Sequence, residues 1–373
     1  MWKNLTLKLA SKLGIIAFFW MILFSNSAQA ALELRVMVRK SANSLPIGSS
    51  TTAVVKGGNG AVLGQVAARN SFNVRANGNN VNLGQWNSNR IWLEPTGDGV
   101  VWIGDKWYRG RVLLVKEGNG VTAINYVDME DYLYSVVGAE AIPSWPQEAL
   151  KAQAVAARSY ALHQRNNSRN SLYDLDTTTR TQVYKGLSSE YTTTHQAVKA
   201  TASQVMTYNG QVILAVFHSS SGGHTENVED IWTSPLPYLR GVVDYDQTSP
   251  VFAWNKTVTP NQVSSALGGV GNIRSMVPEK TTPQGRVVSM RVVGDSNTRS
   301  VRGTDLRQAL DLRSTLFRVS LGNGGVQVSG RGFGHGIGLS QWGTYYLAQN
   351  GINYQQILGH YYQNARLSRL QTR

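Results

Sequence analysis

The chain has no cysteine among its 373 residues. That excludes disulfides and thiol chemistry, so stability must come from packing. Negative charge is also scarce: 22 Asp and Glu stand against 36 Lys and Arg, a formal net charge of +14. The basic residues are scattered and form no block. This distribution fits contact with anionic envelope polymers, or a plainly solvated basic surface, better than nucleic acid. No internal repeat is evident. The apolar run at residues 13–24 falls short of the roughly 20 residues that span a bilayer.

What is present begins with an address. Lys3, Lys8 and Lys12 give a positive start, the apolar run follows, and Ala28-Gln29-Ala30 supplies the small-x-small pattern of a peptidase site. Residues 1–30 are therefore expected to be a cleaved secretory signal rather than an anchor. The protein is expected to be exported, to the periplasm or cell envelope. Cleavage leaves 343 residues with a net charge of +11, enough chain for one large core or two smaller ones.

Residues 31–126 read as β-rich. Leu32 to Arg39 largely alternates apolar and polar side chains, and turn chemistry recurs at Gly57-Gly58-Asn59-Gly60, Asn77-Gly78 and Gly118-Asn119-Gly120. The composition changes near Asp128, and residues 127–373 form the second expected part. Ser144-Trp145-Pro146-Gln147 has the form of a capping box with Ser144 as N-cap, and strong helix formers follow from Glu148 to Leu162. Leu150, Ala154, Ala157 and Ala161 share one face, and their small side chains predict close packing by another element. A second helix is expected over residues 189–203, a hairpin around Asn209-Gly210, a strand over 286–293, a short helix capped by Thr304, and two helices at 340–350 and 354–362. Strands and helices mix without a βαβ rhythm. The fold class is α+β, a β-rich part with helices packed around a central cleft, with division into two subdomains left open.

Four groups of residues could carry chemistry. Glu140 stands out in the acidic cluster Asp128, Glu130, Asp131, Glu140 and Glu148, because residues 136–143 are otherwise uncharged. Burial there would raise its pKa toward the range of a general acid; the alternatives are a helix cap or a pair with Arg158. Phe217 to Asn227 could hold a metal through His218, His224 and Glu226, Glu229 or Asp230, could form a nucleophilic Ser–His pair, or could be a glycine loop lining a cleft. His-x5-His is no standard zinc spacing, so no metal is expected to be required. In Gly330 to Gly343, alternating glycines let the backbone pass close to a neighbour or ligand, with His335 between two of them; the spacing fails the dinucleotide pattern. Trp145, Tyr184, Trp232 and Trp342 lie near these motifs and suit either sugar stacking or a core.

Several strings together resemble the stage II sporulation protein D and amidase-enhancer (LytB) family. They are Met129 to Glu140 running on through Glu148 to Tyr160, Thr181-Gln182-Val183-Tyr184-Lys185-Gly186, His218 to Gly223, and Gly332 to Gly343. The resemblance spans residues 100–365 in the family's order. It implies a cell-wall role: a lytic transglycosylase that cuts peptide-stripped glycan between N-acetylmuramic acid and N-acetylglucosamine, leaving a 1,6-anhydro end, or a non-catalytic enhancer of an N-acetylmuramoyl-L-alanine amidase. The family's catalytic glutamate maps onto Glu140. By the same resemblance Gln182, Tyr184 and His218 would orient sugar, Arg158 and His335 would hold a lactyl carboxylate or the catalytic loop, and Tyr160, Ser221, Gln341 and Trp342 would line the substrate site. Where the family usually has Glu-Met-Pro, this chain has Glu140-Ala141-Ile142-Pro143. Some relatives bind zinc with cysteine near the His218 loop; this chain would need His218, His224 and a carboxylate.

Overall fold

The computed structural model describes residues 32–178, 181–232, 234–322 and 325–370. The expected signal at residues 1–30 lies outside the described residues. The first strand, Glu33–Ala42, buries Leu34, Val36 and Val38 in turn, as the alternation predicts. It is joined antiparallel to Gly120–Asp128, which pairs on its other side with Arg111–Glu117. Arg90–Pro95, Ala53–Gly57 and Val62–Val66 continue this seven-stranded sheet, and Leu175–Asp176 adds a short parallel strand at its far edge. A six-stranded antiparallel sheet runs from Lys106–Tyr108 through Val101–Ile103, Leu45–Ser49, Ser71–Asn77 and Asn80–Leu83 to Trp86–Ser88. The turn at Asn77-Gly78 joins two of its strands, with Gly78 at φ +58°.

The β-rich part passes into the helices without a linker. Asp128 ends its strand and also caps α1 (Met129–Glu140), where its carboxylate accepts from the Glu130 and Asp131 amides. Asp128 before Glu130 and Asp131 is a helix start signal legible in the sequence itself. α2 (Gln147–Asn167) holds the alanine face, and Leu150, Ala154, Ala157 and Ala161 are all fully buried. Small side chains let α1, α3 (Thr192–Ala200), α7 (Gln341–Gln349) and α8 (Tyr354–Tyr361) pack on it. Ser144 is not its cap. A turn in which Trp145 N–H reaches the Ile142 carbonyl leaves Ser144 outside, and Pro146 takes the N-cap position. The Gln147 side chain instead donates to the Thr193 carbonyl at 3.1 Å.

The expected Asn209-Gly210 turn joins Gln204–Tyr208 to Gln211–Val212, with φ of +48° and +77° at the two turn residues. The region expected as helix over 189–203 is shorter: a 3-10 turn at Gly186–Ser189 precedes α3. Then comes α4 (Val228–Ile231). Residues 253–331 build two small three-stranded sheets around α5 (Pro260–Leu267) and α6 (Gly303–Ala309), with a buried cluster of their own that includes Trp254, Val263, Met290, Leu306, Phe317 and Val328. α6 begins at Gly303, so Thr304 lies inside it rather than capping it; a Cβ at residue 303 would sit 1.9 Å from the Val287 carbonyl oxygen. The tail helices fall where expected, α7 capped by Ser340 and α8 by Asn353. Mixed strands and helices make the fold α+β.

Candidate active site

Glu140 closes α1 and is half-buried. Its Oε1 accepts the Val183 amide at 2.7 Å, and the Gln341 side chain lies near enough to favour the charged form of the same carboxyl. Burial raises its pKa above the ordinary 4.5; the Val183 bond, the nearby Gln341 amide and the exposed Lys185 only partly oppose this. Its place at a helix C-terminus, the negative end of the helix dipole, acts in the same direction. The outcome is a carboxyl that holds its proton more tightly than a surface glutamate.

The segment that supplies the Val183 amide is fixed on both sides. Before it, Gln182 is fully buried, accepting Tyr132 Oη–H at 3.1 Å and donating to the Ala157 carbonyl at 3.2 Å. After it, the Tyr184 ring lies between Tyr108 and Tyr132, and its hydroxyl donates to Asn125 at 2.8 Å. Gln182 and Tyr184, expected to orient sugar, are thus spent inside the protein and hold Val183 in register with Glu140. Gln341 is buried, donates to Gln153 Oε1 at 3.4 Å, and lies near the Glu140 carboxyl. Tyr160, also buried, is close enough to the carboxyl for Glu140 to raise its pKa, although burial is the larger cause.

Arg158 has a different place from the one expected. It is fully buried, clamps Glu130 with Nε and Nη2 at 2.8 and 2.6 Å, and donates to the Gln204 and Val198 carbonyls. It pairs with Glu130 and not with Glu140, and presents no edge to a lactyl carboxylate. An aromatic cluster joins the loop after Glu140 to α7. Trp145, in that loop, packs edge-on to Trp342 at 5.1 Å, and Tyr345 touches both. Trp342 and Tyr345 stay partly open to solvent.

The two glycine-bearing motifs meet each other. Phe217–His218 runs parallel to Leu339–Ser340, and the Ser220 and Phe333 backbones also pair. Gly332, Gly334, Gly336 and Gly338 all have φ between +70° and +119°. A Cβ at Gly334 would lie 2.6 Å from the His218 Cβ, and one at Gly336 would lie 2.3 Å from the Arg286 guanidinium. The alternating glycines therefore serve a tight crossing of chain on chain.

His335 accepts the Ile337 amide at Nδ1 and faces the Phe217 carbonyl with Nε2 at 2.9 Å, a pattern that places its proton on Nε2. Burial pulls its pKa down to about 4. His218, 5.1 Å away ring to ring, is also pushed well below the ordinary value by burial; its Nδ1 meets the Ile337 carbonyl and its Nε2 is a buried acceptor without a hydrogen bond. Both rings are neutral braces of the crossing, and Trp232 packs 5.4 Å from His335. Ser221 is buried and donates to Asp244 at 2.5 Å, while Ser220 donates to Asp246, so neither hydroxyl meets a histidine. His224 turns to the Thr225 carbonyl and does not converge with His218. Among the described residues no group of three or more His, Asp or Glu is gathered as a metal would need.

Two family descriptions match the chain: "Stage II sporulation protein" over residues 117–208, which contains Glu140, α2 and the 181–186 segment, and a domain of unknown function over residues 238–338, which contains the small two-sheet region. An uncharacterized protein of Brachyspira hyodysenteriae is 33% identical over 275 residues, covering 72% of this chain and 73% of its own. Stage II sporulation protein D of Bacillus subtilis is 34% identical over 271 residues, 66% of this chain and 76% of its own. The amidase enhancer of Bacillus subtilis is 31% identical over 291 residues, 63% of this chain and 40% of its own. Glu140 and the crossed glycine motifs thus sit in a chain that belongs to the stage II sporulation protein D and amidase-enhancer family.

Proposed function

We propose that the protein is an exported lytic transglycosylase acting on peptide-stripped peptidoglycan, with Glu140 as its acid and base. The observation that carries this reading is the half-buried Glu140 carboxyl, held by the Val183 amide with its pKa raised by burial. A protonated Glu140 would give its proton to the glycosidic oxygen as the bond to the anomeric carbon breaks. The resulting carboxylate would then take the proton of the muramic acid 6-hydroxyl while that oxygen closes on the same carbon. No water enters, so a second carboxylate placed for hydrolysis is not needed. Trp342 and Tyr345 offer ring faces for sugar. No metal takes part in this scheme.

The second reading, a non-catalytic stimulator of a wall amidase, is favoured by the likeness to the amidase enhancer. One experiment separates them. Purified protein is incubated with stripped glycan strands, and products are read by mass spectrometry. Anhydro-muramyl ends that disappear in Glu140→Gln support the enzyme. Binding to strands without products, together with faster peptide release when an amidase is added, supports the enhancer.

A further inference from the structure

Residues 253–331 carry 11 Lys and Arg against four Asp and Glu, so this region holds +7 of the chain's basic excess. Its four acids are already engaged: Glu279 by Ser300, Asp295 by Asn272, Asp305 by Arg302 and Asp311 by Lys256. Arg318 and Arg331 are exposed and form no ion pair among the described residues. They share a face of one small sheet, because Arg318 pairs with Ser329 and residues 329 and 331 point the same way.

These two arginines border a groove. One stretch of about 620 Å³ lies between Gln284-Gly285 and the sheet positions Phe317, Arg318 and Ser329. A second, of about 360 Å³, continues to Gly222, Gly223, His224 and Phe252. Gln284, Leu316 and Arg331 line both stretches, so they form one passage. The Arg331 guanidinium lies 6.0 Å from the Phe252 ring centre, which holds the cation over an apolar floor. Gly222, at φ +83°, lets Arg331 and Leu316 come within 3.0 Å of where a Cβ would be. Amides, an aromatic face and unpaired guanidinium groups are what a sugar polymer bearing carboxylates needs.

We propose that this passage binds a carboxylate-bearing glycan strand, with Arg318 and Arg331 engaging acidic substituents spaced along it. The inference rests on the peptidoglycan reading above. The loop at one end of the passage continues from Phe217–His218, whose partner strand Leu339–Ser340 leads into Gln341, a neighbour of the Glu140 carboxyl. The chain segments of passage and carboxyl are therefore joined through this pair of strands. A stripped strand exposes a lactyl carboxylate on each muramic unit, whereas a peptide-bearing unit has that group locked in an amide. The arginines thus give a physical means of engaging the lactyl carboxylates close to the sugar backbone, away from the bond that is cut.

The test measures binding of the full chain, carrying Glu140→Gln to prevent turnover, to three probes: stripped glycan strands, the same strands with their carboxylates chemically reduced to alcohols, and a polyphosphate of similar length. Arg318→Glu with Arg331→Glu is expected to weaken binding to stripped strands about tenfold and to leave reduced strands unaffected, as for two exposed charge contacts. Reducing the carboxylates should weaken binding to the parent by a similar factor, with little added by the arginine changes. Equal affinity of the parent for stripped and reduced strands overturns the proposal even if the variant is unstable. So does tighter binding of polyphosphate than of stripped strands, which would mark a phosphate-polymer site. Because the readout is binding, it stands whether or not anhydro products are found.

Discussion

Two glutamates of this protein are buried with raised pKa values, and they are used in opposite ways. Glu226 is almost completely enclosed, faces the equally buried Arg286 at 3.5 Å, and accepts Thr282 Oγ–H at 2.7 Å. Its partner Arg286 donates to the Ser221 carbonyl at 2.5 Å through Nη2 while Nε and Nη1 are buried without a hydrogen bond, and burial lowers its pKa to about 10. Glu140 has neutral donors and an exposed lysine nearby but no buried counter-ion, and it reaches the surface. An enclosed ion pair with every side covered fixes the glycine crossing. A carboxyl with one open side and no bound cation can exchange its proton with a ligand.

The largest effect that would sharpen this contrast is on rate. Glu140→Gln should lower anhydro-product formation about 10²- to 10⁴-fold. Its melting temperature should be unchanged or higher, because a buried carboxyl is removed. A variant that melts at a lower temperature while keeping its rate would assign Glu140 to architecture. Arg286→Met should do the reverse and cost about 3–5 kcal/mol in denaturant unfolding, since Glu226 would be left buried without its countercharge. Adding Glu226→Gln should restore part of that loss; no restoration would break the pairing.

The pH dependence gives a smaller and signed test. The folded protein binds the Glu140 proton more tightly than the unfolded chain does. Its contribution is fully present below the ordinary 4.5 and is lost as pH rises through the raised value. His335 runs the other way: its folded value of about 4 lies below the ordinary 6.5, so its contribution is present above 6.5 and is lost as pH falls toward 4. Denaturation midpoints across this range should show both limbs, and Glu140→Gln should remove only the one on the rising side. The proposed activity should fall along that same limb as the acid loses its proton.

Tyr132→Phe should have the smallest effect. It leaves the Gln182 carbonyl oxygen without its donor, at a cost of about 1–2 kcal/mol by thermal melting. If the 182–184 segment positions the Val183 amide, the variant should also lose rate at unchanged KM. A loss of stability alone would confine Gln182 to packing.

Much of the helical part was legible in the sequence. The alanine face of α2, the Asn209-Gly210 turn and the two tail helices follow from local chemistry that neighbours reinforce. α1 was legible in principle through Asp128 and the acids after it. Residues 253–331 were harder, because their strands pair across loops whose length the sequence does not interpret, and their cluster joins Trp254 to Val328.

By itself the sequence determined the residue types: a glutamate in an uncharged stretch, glycines at every second position, and a strong basic excess without cysteine. It could not say which neighbours those residues would meet. Only the tertiary structure gave Glu140 the Val183 amide and Gln341, sent Arg158 to Glu130 and placed Gln182 beneath the site. The reason is that proton affinity depends on burial and partners supplied by segments dozens to hundreds of residues away, and local periodicity carries no record of them.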